Sequence, residues 1–313
     1  MTKVFIDGSA GTTGLRIHKR LSARTDITLL TLPEEVRKDP RARADALNGA
    51  DIAFLCLPDA AAREAAGWLQ NGHTVLIDTS TAHRTAPGWA YGFPELRGAR
   101  ERICASRRIA NPGCHASGFI ALAAPLVTCG LLSPKSALSC FSLTGYSGGG
   151  KQMIAQYESG TQDALLAAPR MYGLGQAHKH LPEMAMYAGL ETPPVFCPTV
   201  APFYAGMEVT VPLHRAQLSS GLDGIRAAYR DYYSDGLVRF AEAADEDGFL
   251  SAAAFAGRDD MQITVTGNEE RILLVCRFDN LGKGASGAAI QNMNLLLGLP
   301  EDTGLNVPAE AAI

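Results

Sequence analysis

KVFIDGSAGTTGLRIHKRL, residues 3–21, decides how the rest of the chain is read. The apolar run over 3–7 has the length of a strand, and Leu15, His18 and Leu21 recur at helical spacing. Between them, GSAGTTG puts glycines at 8, 11 and 14, at a strand-to-helix turn. So tight a turn needs a residue that tolerates φ > 0, and bare backbone beside the free N–H groups of a helix start is where a pyrophosphate settles. The spacing is G-x-x-G-x-x-G, with Ala10 where a central glycine would stand. The predicted cofactor contacts here are Gly8, Ala10, Gly11, Thr12, Thr13 and Gly14.

Outward from this turn, a strand over 27–32 and a helix over 42–47 are followed by DIAFLCL (51–57), an apolar run suited to a strand buried on both faces. An alanine-rich helix over 60–69 and the strand TVLID (74–78) continue the alternation, which argues a parallel sheet wound right-handedly. CLPD (56–59) and DTSTAHR (78–84) fall at the carboxyl ends of these strands, which adds Cys56, Leu57 and Ser80 as cofactor contacts. The second strand closes on Leu30, Thr31 and Leu32, without the carboxylate that would bind the ribose of NAD, and Arg37, Lys38 and Arg41 follow. That balance favours NADP(H), although Glu34 and Glu35 lie among the cations.

Beyond about residue 110 the pattern changes. A helix is expected over 116–129, strands over 137–144 and 207–213, and a hairpin of 261–266 with 272–278 around GNEE. Long alternating strands point to a mixed or antiparallel sheet in an α+β domain. A last helix over 285–297 carries Ile290, Met293, Leu296 and Leu297 on one side and is expected to return to the first domain. The expected division is an NADP-binding Rossmann domain over 1–112 with 285–313, and a catalytic and oligomerisation domain over 113–284.

With 313 residues, 47% of them hydrophobic, the chain can fill two cores. A net charge of −4 leaves no broad basic surface for nucleic acid or an anionic membrane, so the partner expected is a small molecule. The N-terminus enters a strand at once and no apolar run approaches 18 residues, so a cytoplasmic location is expected. Seven cysteines without a C-x-x-C pair fit reduced thiols.

One of those cysteines stands apart. In IANPGCHASGF (109–119), Asn-Pro-Gly breaks the chain and a helix follows, so Cys114 falls at a helix start, where N–H groups and the dipole favour thiolate and offer oxyanion donors. The other readings are a packing residue and a metal ligand. HKHLPE (178–183) offers His178 and His180 as acid–base partners. His115 is set aside, because a side chain adjacent in sequence is expected to point elsewhere. H-x-H could chelate a metal, but no second pair completes a ligand set, and none is expected. SGGGK (147–151) joins bare backbone to a cation, a setting for a phosphate or carboxylate, or else forms a plain flexible loop.

GSAGTTG, GFPEL (92–96), NPGCHASG (111–118), TGYSGGGK (144–151), HKHLPE and NLGKGASGAAIQNMNLLLG (280–298) together resemble the N-acetyl-γ-glutamyl-phosphate reductases of arginine biosynthesis, in their short-chain branch. The resemblance runs from the first strand to the last helix. The family more commonly has arginine where this chain has Lys179 and Lys151, a swap that keeps charge but loses bidentate geometry. The resemblance implies a Rossmann domain joined to a mixed-sheet domain like those of glyceraldehyde-phosphate and aspartate-semialdehyde dehydrogenases, with NADPH as reductant. It implies that Cys114 attacks the acyl phosphate to form a thioester, that His180 in preference to His178 moves protons, and that Glu183 orients or binds. Asn111, Ser147, Gly148, Lys151 and Lys283 are then the substrate contacts, with Asn280 toward the nicotinamide. A homo-oligomer, dimer or tetramer, is expected. Aspartate-semialdehyde dehydrogenase and a non-catalytic NADP-binding redox sensor are the competing readings.

Overall fold

Strand and helix alternate from the first residues because the apolar runs are short and each is punctuated by a turn or cap. A computed structural model of the protein describes residues 1–160 and 163–308, which divide into two units. In the first (1–112 and 285–305), β1 (Thr2–Asp7) leads through the glycine turn into α1 (Thr12–Leu21) and β2 (Ile27–Leu30). Next comes α2 (Pro40–Asn48), where Pro40 opens the helix and the Asp39 side chain caps it by accepting from the Ala42 N–H at 2.8 Å. β3 (Ile52–Leu55), α3 (Asp59–Gly67), β4 (Val75–Asp78), β5 (Ala90–Tyr91), α4 (Ala99–Cys104) and β6 (Arg108–Ala110) follow. The strands form one parallel sheet in the order β2-β1-β3-β4-β6-β5. Phe5, Ala53, Leu55 and Leu76 are buried on it against Leu47, Ala65 and Ala66.

The second unit opens with α5 (Cys114–Thr128), in which every residue from His115 to Leu126 is buried. It then runs through β7 (Ser139–Gly145), α6 (Gly150–Glu158), β8 (Arg170–Met171), α7 (Leu181–Ala188), β9 (Val195–Ala201), β10 (Met207–His214), α8 (Leu222–Tyr232), β11 (Val238–Phe240), β12 (Met261–Gly267) and β13 (Arg271–Phe278). Its sheet, ordered β11-β12-β13-β10-β7-β9-β8, is mixed: β7–β9 and β11–β12 are parallel, the other pairs antiparallel. α5 packs on β10 and β13. A Cβ on Gly118 would come within 2.5 Å of Val209 Cγ2, so the helix approaches the sheet where it carries no side chain.

A π-helical turn (Gly282–Ser286) leads into α9 (Gly287–Leu296), which belongs to the first unit and packs on α1, α4 and β4. The helix is buried on all sides, including Gln291, Asn292 and Asn294, and not only along the apolar stripe expected of it. The expected boundary also shifts. Residues 306–308 belong to the second unit, because the Asp259 N–H donates to the Asn306 carbonyl at 2.9 Å, the Asn306 N–H donates to the Asp259 carboxylate at 2.8 Å, and the Asn306 side-chain amide donates to the Gly257 carbonyl at 2.9 Å.

Candidate active site

α5 begins at Cys114 itself, two residues earlier than expected, with Gly113 extended before it (φ −79°, ψ 145°). The cysteine therefore sits among the first-turn N–H groups, which an α-helix does not itself satisfy. Glu183, buried in the first turn of α7, accepts a hydrogen bond from the Gly113 N–H at 3.1 Å. Its other oxygen lies 3.9 Å from His180 Nε2, so one carboxylate joins the helix start to the histidine motif. The π-helical turn passes on another side. A Cβ on Gly284 would stand 2.9 Å from that of Cys114, and the neighbouring Lys283 is buried.

The rings of His178 and His180 lie edge-on at 4.7 Å, and the His115 ring lies 5.9 Å and 5.6 Å from them. His115, set aside in the sequence reading, thus joins the cluster. Successive side chains on a helix diverge by only about 100°, so at a helix end both Cys114 and His115 can face the segment that wraps it. His115 Nδ1 is 2.6 Å from Ser142 Oγ, and Nε2 is 2.7 Å from the Tyr172 hydroxyl. Burial, reinforced by neighbouring His178, pulls the His115 pKa down to about 3, so the ring is neutral. Burial pushes the Tyr172 phenol up, and the nearby charge of Cys114 adds to that shift.

Tyr172 and Ser142 were not singled out from sequence. The available signals were slight: Tyr172 opens the same stretch as the histidines, and Ser142 falls at a core-facing position of β7. The segment bearing Tyr172 is fastened along β9. The Tyr172 N–H donates to the Pro198 carbonyl at 2.9 Å, and the Gln176 amide pairs with the Phe196 N–H (2.9 Å) and carbonyl (2.7 Å). Gln176 holds this position at φ +50°, a conformation few side-chain-bearing residues adopt.

Asn280 and Ser147, expected to serve different ligands, meet: Asn280 Nδ2 donates to Ser147 Oγ at 3.0 Å, and its Oδ1 accepts from the Gly206 N–H at 3.0 Å. Gly148 packs against the same amide. Lys151 lies exposed in the first turn of α6. Asn111, in the first unit, donates its amide to the Ala285 carbonyl at 3.0 Å.

In the first unit the glycine turn is pressed against the end of β3. Gly8 has φ +85°, and a Cβ there would meet the Cys56 carbonyl oxygen at 2.3 Å; one on Gly14 would meet the Gly8 oxygen at 2.4 Å. Beside the turn, Gly8, Ser9, Ala10 and Leu57 line a cavity of about 470 Å³ that extends past the end of β2 to Arg37, Lys38 and Arg43. Arg41, one of the cations noted in the sequence, is not in the lining; Arg43 is. Asp7 holds Arg43 by three contacts of 3.0, 3.2 and 2.9 Å, and Glu34 pairs with Arg37 at 2.6 Å. Cys56 is half-buried, desolvation pushes its thiol up to about 12, and the Ser80 hydroxyl donates to the Asp78 carboxylate at 2.8 Å.

Residues 3–105 match the semialdehyde dehydrogenase NAD-binding domain, and 114–280 the semialdehyde dehydrogenase dimerisation domain. The chain is 47% identical over 304 residues to N-acetyl-gamma-glutamyl-phosphate reductase of Burkholderia lata, covering 94% of this chain and 96% of that one. It is 45% identical over 318 residues to N-acetyl-gamma-glutamyl-phosphate reductase 2 of Nostoc sp., covering 97% and 99%. The chain belongs to the N-acetyl-gamma-glutamyl-phosphate reductase family. This membership makes it an oxidoreductase. Among solved structures, aspartate semialdehyde dehydrogenase II of Vibrio cholerae shares the reductase's fold at TM-score 0.72 and 17% identity, covering 95% of this chain and 99% of its own. Aspartate semialdehyde dehydrogenase of Candida albicans, solved with NADP, does so at 0.63 and 12% identity, covering 95% and 99%. The architecture expected from sequence, a Rossmann-type domain and an α+β domain with a mixed sheet, is the one this reductase has. Among the described residues no helix is long and apolar enough to cross a membrane.

Proposed function

We propose that this reductase converts N-acetyl-γ-glutamyl phosphate to N-acetylglutamate semialdehyde and phosphate in arginine biosynthesis, with Cys114 as nucleophile. The observation that carries the reading is Cys114 at the first position of α5, with Glu183 linking that helix start to His180. The thiolate attacks the acyl carbon, the bond to the phosphate oxygen breaks, and inorganic phosphate leaves behind a thioester. NADPH, when bound, supplies the hydride that reduces this carbonyl. Its pyrophosphate suits the turn over 8–14, whose packing leaves no room for side chains at Gly8 and Gly14, and a 2′-phosphate suits Arg37, Lys38 and Arg43. His180 lends a proton to the oxygen of the thiohemiacetal and takes it back as the carbon–sulfur bond breaks, restoring the thiolate. Glu183 orients His180.

Ser147, Gly148 and the buried Lys283 serve the substrate. Asn280 joins them in place of the role toward nicotinamide expected from sequence, because its amide is engaged with Ser147. Lys151, exposed in the first turn of α6, supplies a cation for the substrate's anionic groups. The second unit is also where copies of the chain associate. Phe141, Val195 and Leu273 are exposed on one face of its sheet and supply the apolar surface.

The test is NADP reduction driven by N-acetylglutamate semialdehyde and phosphate, beside aspartate semialdehyde as competitor. Cys114→Ser is expected to abolish turnover while NADP binding persists. Substantial residual turnover would remove Cys114 as nucleophile, and preference for aspartate semialdehyde would remove the substrate.

A further inference from the structure

We propose that Ser142, His115 and Tyr172 form a relay of neutral hydrogen-bonding groups that positions the Cys114 end of α5 and presents the tyrosine's hydroxyl proton to the Cys114 thiolate. The inference rests on the reading of Cys114 as nucleophile. Both nitrogens of the His115 ring are engaged, at 2.6 Å by Ser142 Oγ and at 2.7 Å by the Tyr172 hydroxyl. The three residues come from three separately anchored segments. Ser142 is central in β7, paired with Pro198 on one side and Val209 on the other. Tyr172 is fastened to β9 by its own N–H and, four residues on, by the Gln176 amide. His115 is the next residue after Cys114, so a ring held at both nitrogens fixes the helix end that bears the nucleophile.

The proton count gives the relay a direction. Burial keeps His115 neutral, so one ring nitrogen donates and the other accepts. Burial and the charge of Cys114 keep Tyr172 protonated. When Ser142 donates to Nδ1 and Nε2–H donates to the tyrosine oxygen, the tyrosine's own proton points away from His115 and is free for a nearby anion. A phenolate there would repel the thiolate, so the protonated phenol is the form that supports it. The other ionisable groups around this helix start are His178 and His180 beside the His115 ring, Glu183 on the Gly113 N–H, and Lys283 next to Gly284. None of them is altered by removing the relay hydroxyls.

Iodoacetamide alkylation of Cys114, followed by mass spectrometry across pH, reads the thiolate without cofactor or substrate. Tyr172→Phe is expected to raise the alkylation midpoint by about one unit and to lower kcat about tenfold, with KM for the semialdehyde within about twofold. Ser142→Ala, three hydrogen bonds from the thiol along the relay, is expected to shift the midpoint the same way by less. It decides the matter if the phenylalanine variant does not fold. A merely structural role for these residues predicts lower melting temperatures with superimposed alkylation curves, and that result overturns the relay. A parent Cys114 that fails to alkylate, or turnover retained in Cys114→Ser, overturns the nucleophile reading instead.

Discussion

Gly284→Ala places a methyl group where the structure has enclosed the backbone on three sides. The new Cβ would stand 2.9 Å from Cys114 Cβ, 3.1 Å from the Asp279 carbonyl oxygen and 3.2 Å from Phe278 Cε2. Ordinary carbon–carbon contact begins near about 3.5 Å, so on the order of 0.6 Å must open. The turn is poorly placed to provide it. The Gly284 N–H is bound to the Asp279 carbonyl at 3.0 Å, and the Asp279 carboxylate accepts from the N–H groups of Leu281 (2.6 Å), Gly282 (2.8 Å) and Gly257 (2.5 Å). Phe278 is fully buried. The element left to move is the start of α5, and with it the thiol. Overpacking of this kind costs about 1–3 kcal/mol. Since a misplacement of about 1 Å costs about a hundredfold in rate, a shift near 0.6 Å is expected to lower kcat about tenfold. The assay is steady-state NADP reduction from N-acetylglutamate semialdehyde and phosphate, alongside NADP titration and thermal melting. The expected pattern is a tenfold fall in kcat, a melting temperature lower by a few degrees, and NADP affinity within about twofold, because the first unit is untouched. An unchanged kcat with an unchanged melting temperature would refute the argument that the turn and the helix start are mutually rigid.

Lys38→Met is expected to weaken NADP binding about tenfold and to leave NAD binding unaltered, since only the 2′-phosphate differs between them; equal losses in equilibrium titrations would remove Lys38 from that contact. Gly8→Ala combines a left-handed φ with a 2.3 Å approach to the Cys56 oxygen, so both melting temperature and NADP affinity should fall, and parental values for both would disprove the close packing of the turn. His115 is neutral in the folded chain down to about pH 3, whereas its ordinary pKa is 6.5. As pH falls below 6.5 the unfolded chain takes up a proton that the folded one refuses, and stability drops by about 1.4 kcal/mol per pH unit from this group. Urea unfolding of His115→Gln should therefore lose less stability than the parent between pH 6.5 and 5; identical losses would mean that His115 is not held neutral.

What was legible in the chain was whatever rests on contiguous residues. The turn over 8–14 could be read because tight turning, close approach and helix initiation all act within seven residues. The helix start at Cys114 could be read because Pro-Gly and the apolar run after it stand side by side. β9 was missed because VFCPTVA carries a proline in its middle. Pro198 is tolerated there for a reason that only the sheet supplies. The N–H and carbonyl of one strand residue point the same way, and the Pro198 carbonyl points to the Tyr172 side, so the missing N–H takes nothing from the pairing with β7.

The polar face of the last helix was not legible for a similar reason. Asn292 donates to the Gly92 carbonyl and Asn294 to the carbonyls of Glu301 and Thr303, so residues whose pattern says solvent are buried against partners up to 200 positions away. His115, Tyr172 and Ser142, and likewise Asn280 with Ser147, meet across 27 to 133 positions. Residue type and spacing were enough to nominate Cys114, because a helix start acts on the thiol locally. Which imidazole, hydroxyl and carboxylate surround it was decided by tertiary structure, since hydrogen bonds of 2.6 to 3.1 Å between distant segments depend on how β7, β9 and α7 pack around that helix end.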